Sequence, residues 1–266
     1  MKALIACLIG AYVLRAESPP RIPAPLYTPS SIVNAASFKV GPLAPNTIGT
    51  LYGRDLAFLT RSLAAEDIYN GTLPTTLLGT GVRLLIKNTV AFIYFVSPTQ
   101  VNFLVPSTLT PGPADLLFSL DGRYGEAVRI QIAEFSPALF QLDPETILAT
   151  RPDGSVINSD KPAKPGDVVI LYATGLGATR PRMAAGQIPT SAAVLDKLPE
   201  FKVLAGSEPI DRANILYVGA APGFAGLYQI NLRLPGNLPR NPELRIGFNN
   251  IVSPTGIHLP LEAGNP

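Results

Sequence analysis

Cysteine is nearly absent from this chain: Cys7 is the only one among 266 residues, and it lies in an apolar N-terminal run. No disulfide can staple the fold, so its stability has to come from packing. Histidine is as scarce. With His258 alone, most zinc sites and the usual nucleophile–histidine triads are excluded. Tryptophan is missing altogether, which removes the indole platform on which carbohydrate-binding modules commonly stack a sugar. Charged residues make up 15% of the chain and the formal net charge is +2, too weak a field to gather nucleic acid or an anionic membrane. No run of Lys and Arg with interleaved aromatics compensates, so nucleic acid is not an expected partner.

Long helical windows are lacking as well, and the reason is what the chain has in plenty. Its 28 prolines and 23 glycines recur every several residues. Proline removes a backbone donor and glycine costs helix entropy. Between them lie short segments rich in Val, Ile, Leu, Phe, Tyr and Thr, the composition of an all-β protein with many turns. A hydrophobic share of 47% excludes a disordered tail. The best helix candidate, Leu63 to Tyr69, is expected to be a single turn in a loop.

The N-terminus reads differently. Lys2 is followed by an unbroken apolar run from Ala3 to Leu14, too short to span a bilayer comfortably but suited to the core of a signal peptide. Residues 1–16 are therefore expected to be a cleaved signal peptide and 17–30 a linker, with no membrane span after cleavage. Leu4-Ile5-Ala6-Cys7 has the form of a lipoprotein processing box, although only a short apolar stretch precedes it.

Self-similarity organises the remainder. Ser31-Ile32-Val33-Asn34 reappears as Ser155-Val156-Ile157-Asn158, and Pro45 to Tyr52 parallels Pro165 to Tyr172. Gln100-Val101-Asn102-Phe103-Leu104-Val105-Pro106 parallels Gln229-Ile230-Asn231-Leu232-Arg233-Leu234-Pro235. The last strands also match, Val128, Ile130 and Ile132 against Ile257, Leu259 and Leu261. Within each copy the apolar residues alternate, which places them on one face of a sheet. Asp121-Gly122 is a hairpin signal, Asn249-Asn250 sits in a similar place, and Pro152-Asp153-Gly154 marks another turn. Roughly six to eight short strands per copy is the rhythm of a β-sandwich. The expected fold is all-β, two tandem immunoglobulin-like β-sandwich domains over 31–135 and 136–262, with the boundary near Phe135-Ser136-Pro137.

Several of these strings carry a family resemblance. Ser31 to Phe38 and Val96-Ser97-Pro98-Thr99-Gln100-Val101-Asn102-Phe103 resemble the first half of an uncharacterised C-terminal domain family of secreted Acidobacteria proteins. Val169 to Gly177 and Ala221 to Asn231 resemble its second half. The resemblance implies export and tandem Ig-like, TIG-type sandwiches. It assigns no activity, and no catalytic residue is carried over.

Enzyme-like constellations are sparse. Gly175-Leu176-Gly177-Ala178-Thr179-Arg180 follows an apolar strand, yet Arg180 stands where a dinucleotide fingerprint needs its third glycine and Pro181 follows. No Gly-x-Ser-x-Gly elbow is present. Paired carboxylates could hydrolyse a glycoside without histidine, and Glu66, Asp67, Asp115, Asp121, Glu126, Asp143 and Glu145 are the candidates, most of them in apparent turns. No spaced Asp-x-Asp loop supports calcium. His258, opposite Arg129 in the repeat, is expected on the solvated side of the last strand.

Two amide pairs stand out. Gln100 with Asn102, and Gln229 with Asn231, each share one sheet face; they are expected to bond neighbouring loop backbone and fix strand register, a ligand-binding role being the alternative. Ala221-Pro222-Gly223-Phe224-Ala225-Gly226 is an insertion of the second copy. Phe224 is expected either to plug the interface between the copies or to stand exposed, and Phe224 and Tyr228 are the candidates for contact with a partner. No cofactor or metal is expected. The sequence points to a secreted, non-enzymatic interaction or structural module, its partner an extracellular protein or a polysaccharide. A carbohydrate-binding accessory domain and a carboxylate-based hydrolase are the alternatives.

Overall fold

Alternating apolar residues commit short segments to strands, and two-residue turns connect them where the chain can take a left-handed conformation. Asp121 (φ 47°) and Gly122 (φ 74°) join Gly112–Leu120 to Arg123–Tyr124 with Leu120 facing Arg123. Both central residues with positive φ match the right-handed twist of the flanking strands. Gly122→Ala is expected to cost about 1 kcal/mol, measured by urea unfolding, because alanine lacks glycine's freedom at that φ. In the Phe248–Ile251 hairpin Asn249 (φ 46°) alone of the two central residues takes a left-handed conformation. Lys87 and Asn88 both do so between Ile86 and Thr89.

The computed structural model describes residues 23–263, all-β with several antiparallel sheets and no α-helix among the described residues. The expected signal peptide, 1–16, and the first part of the linker lie outside that range. One five-stranded sheet runs in the order Ile32–Asn34, Ile48–Tyr52, Gln100–Leu104, Phe92–Val96, Arg61–Ser62. A second runs Val128–Ile132, Gly112–Leu120, Val82–Ile86, Thr89–Val90. Side chains from both fill one core, including Leu51, Phe103, Leu84 and Phe118. A third sheet runs Ala138–Leu139, Val168–Thr174, Tyr228–Arg233, Ile215–Ala220, Ala193–Leu195, Thr179–Arg180, and a fourth Glu208–Pro209, Phe201–Ala205, Leu244–Phe248, Ile251–Val252. These enclose a second core with Leu171, Ile230, Ile246 and Phe248. Each fully buried side chain of this size is worth about 1.5–3 kcal/mol. Phe135 stacks on Phe248 with ring centroids 4.0 Å apart, so it packs with the second core. Ala65–Asp67 forms a single 3-10 turn within the Leu63 to Tyr69 loop.

At the matched sequence positions the two halves make the same pairings. Tyr52 faces Gln100, and Tyr172 faces Gln229. Ile93–Phe103 is followed by Phe95–Asn102, and Ile215–Leu232 by Tyr217–Asn231, so a bulge interrupts both ladders at the same point. Leu43 pairs in parallel with Ile132, and Ala163 with Leu261. Each of these parallel contacts has two backbone hydrogen bonds: Leu43 N to the Gln131 carbonyl and Ala133 N to the Leu43 carbonyl, then Ala163 N to Pro260 and Glu262 N to Ala163. One match differs in form. Val128–Ile132 is a regular strand, whereas Ile257 to Leu261 makes only isolated bridges, since Pro260 has no N–H to give a ladder. Ile257, Leu259 and Leu261 are still buried, and His258 is exposed between them.

Candidate functional site

The place where the halves meet is built from small residues and backbone. Thr174, at the end of its strand, accepts a hydrogen bond from Ile48 N (2.9 Å) and donates to the Gly226 carbonyl (2.8 Å). Ser136 donates to the Pro42 carbonyl (2.7 Å) and its backbone N to Gly175 (2.9 Å), while Asn34 Nδ2 donates to the Ser136 carbonyl (3.0 Å). The segment expected to be a boundary is thus bonded on both sides. The Asp67 carboxylate, only 1% exposed, accepts from Leu78 N, Ala64 N and the Arg61 guanidinium. It shapes the loop whose Leu73 N donates to Gly186 and whose Gly71 accepts from Ile188.

The insertion expected to plug this joint does so with different residues. Phe224 is 59% exposed and fills nothing, so of the two placements expected for it the interface plug is the one corrected and the exposed one is observed. Ala225 is buried with Leu73 and Leu104, against Ile48, Phe92 and Tyr94. Tyr94 donates to the Ala225 carbonyl, and burial pushes its phenol well above the ordinary range. Gly226 has φ 72°, and a Cβ there would sit 2.8 Å from the Asn46 carbonyl oxygen. The joint needs a close backbone approach, so a methyl and a glycine enter where a ring could not. Tyr228 is 2% exposed and donates to the Gly177 carbonyl. Burial raises its pKa as well. It is a neutral structural donor, and its candidacy as a surface contact is overturned by that burial.

Beside this joint lies a cleft of about 710 Å³, with Glu134, Arg182, Asp196 and Lys197 on its walls. Asp196 is engaged by Arg180. The carboxylate candidates are dispersed among structural tasks. Asp67 binds Arg61, Asp115 binds Arg129, and Asp143 accepts from Glu145 N and Thr146 N in a turn. Those turn hydrogen bonds hold the Asp143 carboxyl below its usual range. No group of three or more His, Cys, Asp or Glu able to hold a metal occurs among the described residues. Gly175 and Gly177 take positive φ in the exit from their strand, and the helix a dinucleotide would require does not follow.

The amide pairs bond each other. Gln100 Nε2 donates to Asn102 Oδ1 at 2.8 Å, and Gln229 Nε2 to Asn231 Oδ1 at 2.8 Å. Loop backbone, the expected partner, is displaced because residues two apart on a strand stand side by side on one face. Aromatic residues on the neighbouring strands flank both pairs: Tyr52 faces Gln100 and Phe95 faces Asn102, while Tyr172 faces Gln229 and Tyr217 faces Asn231. Sequence reasoning found the amides but missed this flanking row. Its signal was the presence of Tyr52, Phe95, Tyr172 and Tyr217 within strand segments.

This is an all-β chain of antiparallel sheets. No family model and no curated protein matches it. Solved structures with which it shares a likeness include SGBP-B of the Bacteroides ovatus mixed-linkage glucan utilization locus, in complex with a mixed-linkage heptasaccharide. There the TM-score is 0.31 at 9% identity, over 83% of this chain and 42% of that one. The BSP domain of a biofilm associated protein gives 0.29 at 10% identity, over 84% and 29%. Domains 5–6 of the S-layer protein SbsC give 0.27 at 7% identity, over 91% and 100%. The chain spans less than half the length of the first two. No helix of the described residues is long and apolar enough to cross a membrane.

Proposed function

We propose that this protein is an exported, non-enzymatic binding or structural module made of two immunoglobulin-like sandwiches, 31–135 and 136–262, locked end to end. The observation that carries the reading is the use made of its polar side chains. Several of the buried and half-buried ones are spent on structure: Asp67 on Arg61 and two backbone amides, Thr174 on both sides of the joint, Tyr94 and Tyr228 on carbonyls. A hydrolytic site would need two carboxylates facing across a cleft, and Asp67, Asp115 and Asp143, three of the acids singled out in the sequence, are bonded instead to separate arginines and a turn. The identical strand registers at matched positions support the tandem reading. Export is supported by the Ala3 to Leu14 apolar run.

Fractionating a host that expresses the full chain, with N-terminal sequencing of the mature protein, tests the reading. The expected product is found outside the cytoplasm and begins near Glu17. An intact Met1 in the cytoplasmic fraction would refute export.

A further inference from the structure

The outer face of the sheet containing Val168–Thr174, Tyr228–Arg233 and Ile215–Ala220 is not covered by either core. On its middle strand stand Gln229 and Asn231, both half-buried. The single bond between them uses one Gln229 N–H and the Asn231 carbonyl oxygen. Gln229 Oε1 and the Asn231 amide N–H groups keep their hydrogen-bonding capacity and have no protein partner among the described residues. An amide offers one acceptor oxygen and two donors, so this pair presents both kinds outward.

Rings bracket the pair. Tyr172 faces Gln229 from one neighbouring strand, and its hydroxyl is bonded to Thr150 Oγ1 at 3.1 Å. Tyr217 faces Asn231 from the other, and its hydroxyl donates to the Ala220 carbonyl at 3.1 Å. That bond draws the ring down over Gly219, where a Cβ would lie 2.8 Å from Tyr217 Cζ. Glycine there is what lets the ring lie against the sheet. The two tyrosine-bearing strands are separated by one strand, about 10 Å. Ile170, Val194 and Leu216 extend the apolar ground around them, Val194 and Leu216 at 40% and 47% exposure. Between the tyrosines the row has no charged side chain, and Arg233 lies beyond Asn231.

Flat rings on either side of free amide donors and acceptors match a ligand whose faces are C–H and whose edges are hydroxyl. Lack of charge in the row selects against an ionic partner. We propose that this face binds an uncharged polysaccharide chain, with its sugars against Tyr172 and Tyr217 and their hydroxyls on Gln229 and Asn231. The assignment rests on the reading of the protein as an exported binding module. The matching row of the first half, Tyr52, Gln100, Asn102 and Phe95, is the lesser site. There Thr50 also donates to Asn102 Oδ1, at 3.1 Å, and the second ring has no hydroxyl to pin it down.

Isothermal titration of the mature chain against soluble neutral polysaccharides (a β-glucan, a mannan and a xylan), with alginate as the anionic comparison, tests this. Saturable binding to at least one neutral polymer is expected, and none to alginate. Tyr217→Ala and Asn231→Asp should each weaken it by roughly tenfold or more, the cost of one lost stack or bonded edge. Tyr52→Ala should stay within roughly threefold. Asn231→Asp keeps the side-chain shape, so it reports on binding even if Tyr217→Ala disturbs the fold. No saturation by any neutral polymer, binding indifferent to Asn231→Asp, or a self-associated dimer that this substitution dissolves would overturn the assignment. The mature N-terminus is read independently, so a failed titration leaves the export reading standing.

Discussion

Gly226→Ala is expected to lower the stability of the chain by roughly 2–4 kcal/mol and to separate the unfolding of its two halves into distinct steps. The residue has φ 72°, and an added Cβ would lie 2.8 Å from the Asn46 carbonyl oxygen as well as against Leu104. A left-handed conformation costs an alanine about 1–2 kcal/mol by itself. The rest comes from moving backbone, because Asn46 N is bonded to the Val105 carbonyl and cannot retreat alone. Gly226 also supplies the carbonyl that Thr174 holds while binding Ile48. A shift there loosens three segments together. Gly223, in the same loop, is the control: its φ is 89° but a Cβ would meet nothing within 4 Å, so Gly223→Ala should cost about 1 kcal/mol and leave one transition. Urea titration followed by near- and far-UV circular dichroism distinguishes the two.

Asp67→Ala should cost about 3 kcal/mol at neutral pH, since it leaves two backbone N–H groups and Arg61 without their acceptor. Burial works to raise the pKa of this carboxyl, but the hydrogen bonds from Leu78, Ala64 and Arg61 outweigh it and hold the group below its ordinary value. A carboxyl depressed in the folded state adds stability that is complete above the unfolded value of about 4 and disappears as pH falls through the folded one. The wild-type chain should therefore lose stability on acidification below about pH 4. Asp67→Ala should lose less over the same interval, having nothing there to titrate. Urea midpoints at pH 7 and pH 3 measure the difference. Equal losses in both proteins would show that the Asp67 carboxylate contributes nothing to the pH dependence.

How far these features could be read in advance depended on the range of the interactions involved. Alternation along Val101, Phe103 and Val105 reports a two-residue period, which any strand with one buried face must show, and all three are buried. Asp121-Gly122 is legible for the same local reason, its φ values being intrinsic to the dipeptide. Lys87-Asn88 performs the same turn with a weaker signal, Lys87 adopting φ 50° because the strands on either side demand it. Phe224 was harder. Its size suggests a plug, but a joint made by backbone approach has room only for Ala225 and Gly226. Tyr228 and Asp67 were misleading in opposite ways, one a ring that looked available and proved buried, the other an acid among turn residues that proved the anchor of a loop. The Tyr228 hydroxyl meets the Gly177 carbonyl far back along the chain, whereas Asp67 is held by Arg61, Ala64 and Leu78, none more than eleven residues away. The amide pairs lay between these cases, with their shared face legible and the flanking tyrosines supplied by strands far along the chain.

The parallel contacts of Leu43 with Ile132 and of Ala163 with Leu261 have a mechanical consequence. Each ties the incoming chain of a half to its outgoing chain by two backbone bonds. Tension drawn through such a half pulls the tied segments past one another and loads both bonds at once, in shear. An antiparallel hairpin pulled from its open end would instead give way one bond at a time. A molecule tethered at one end and held by a ligand at the other would therefore meet force with a clasp in each half before either core is breached.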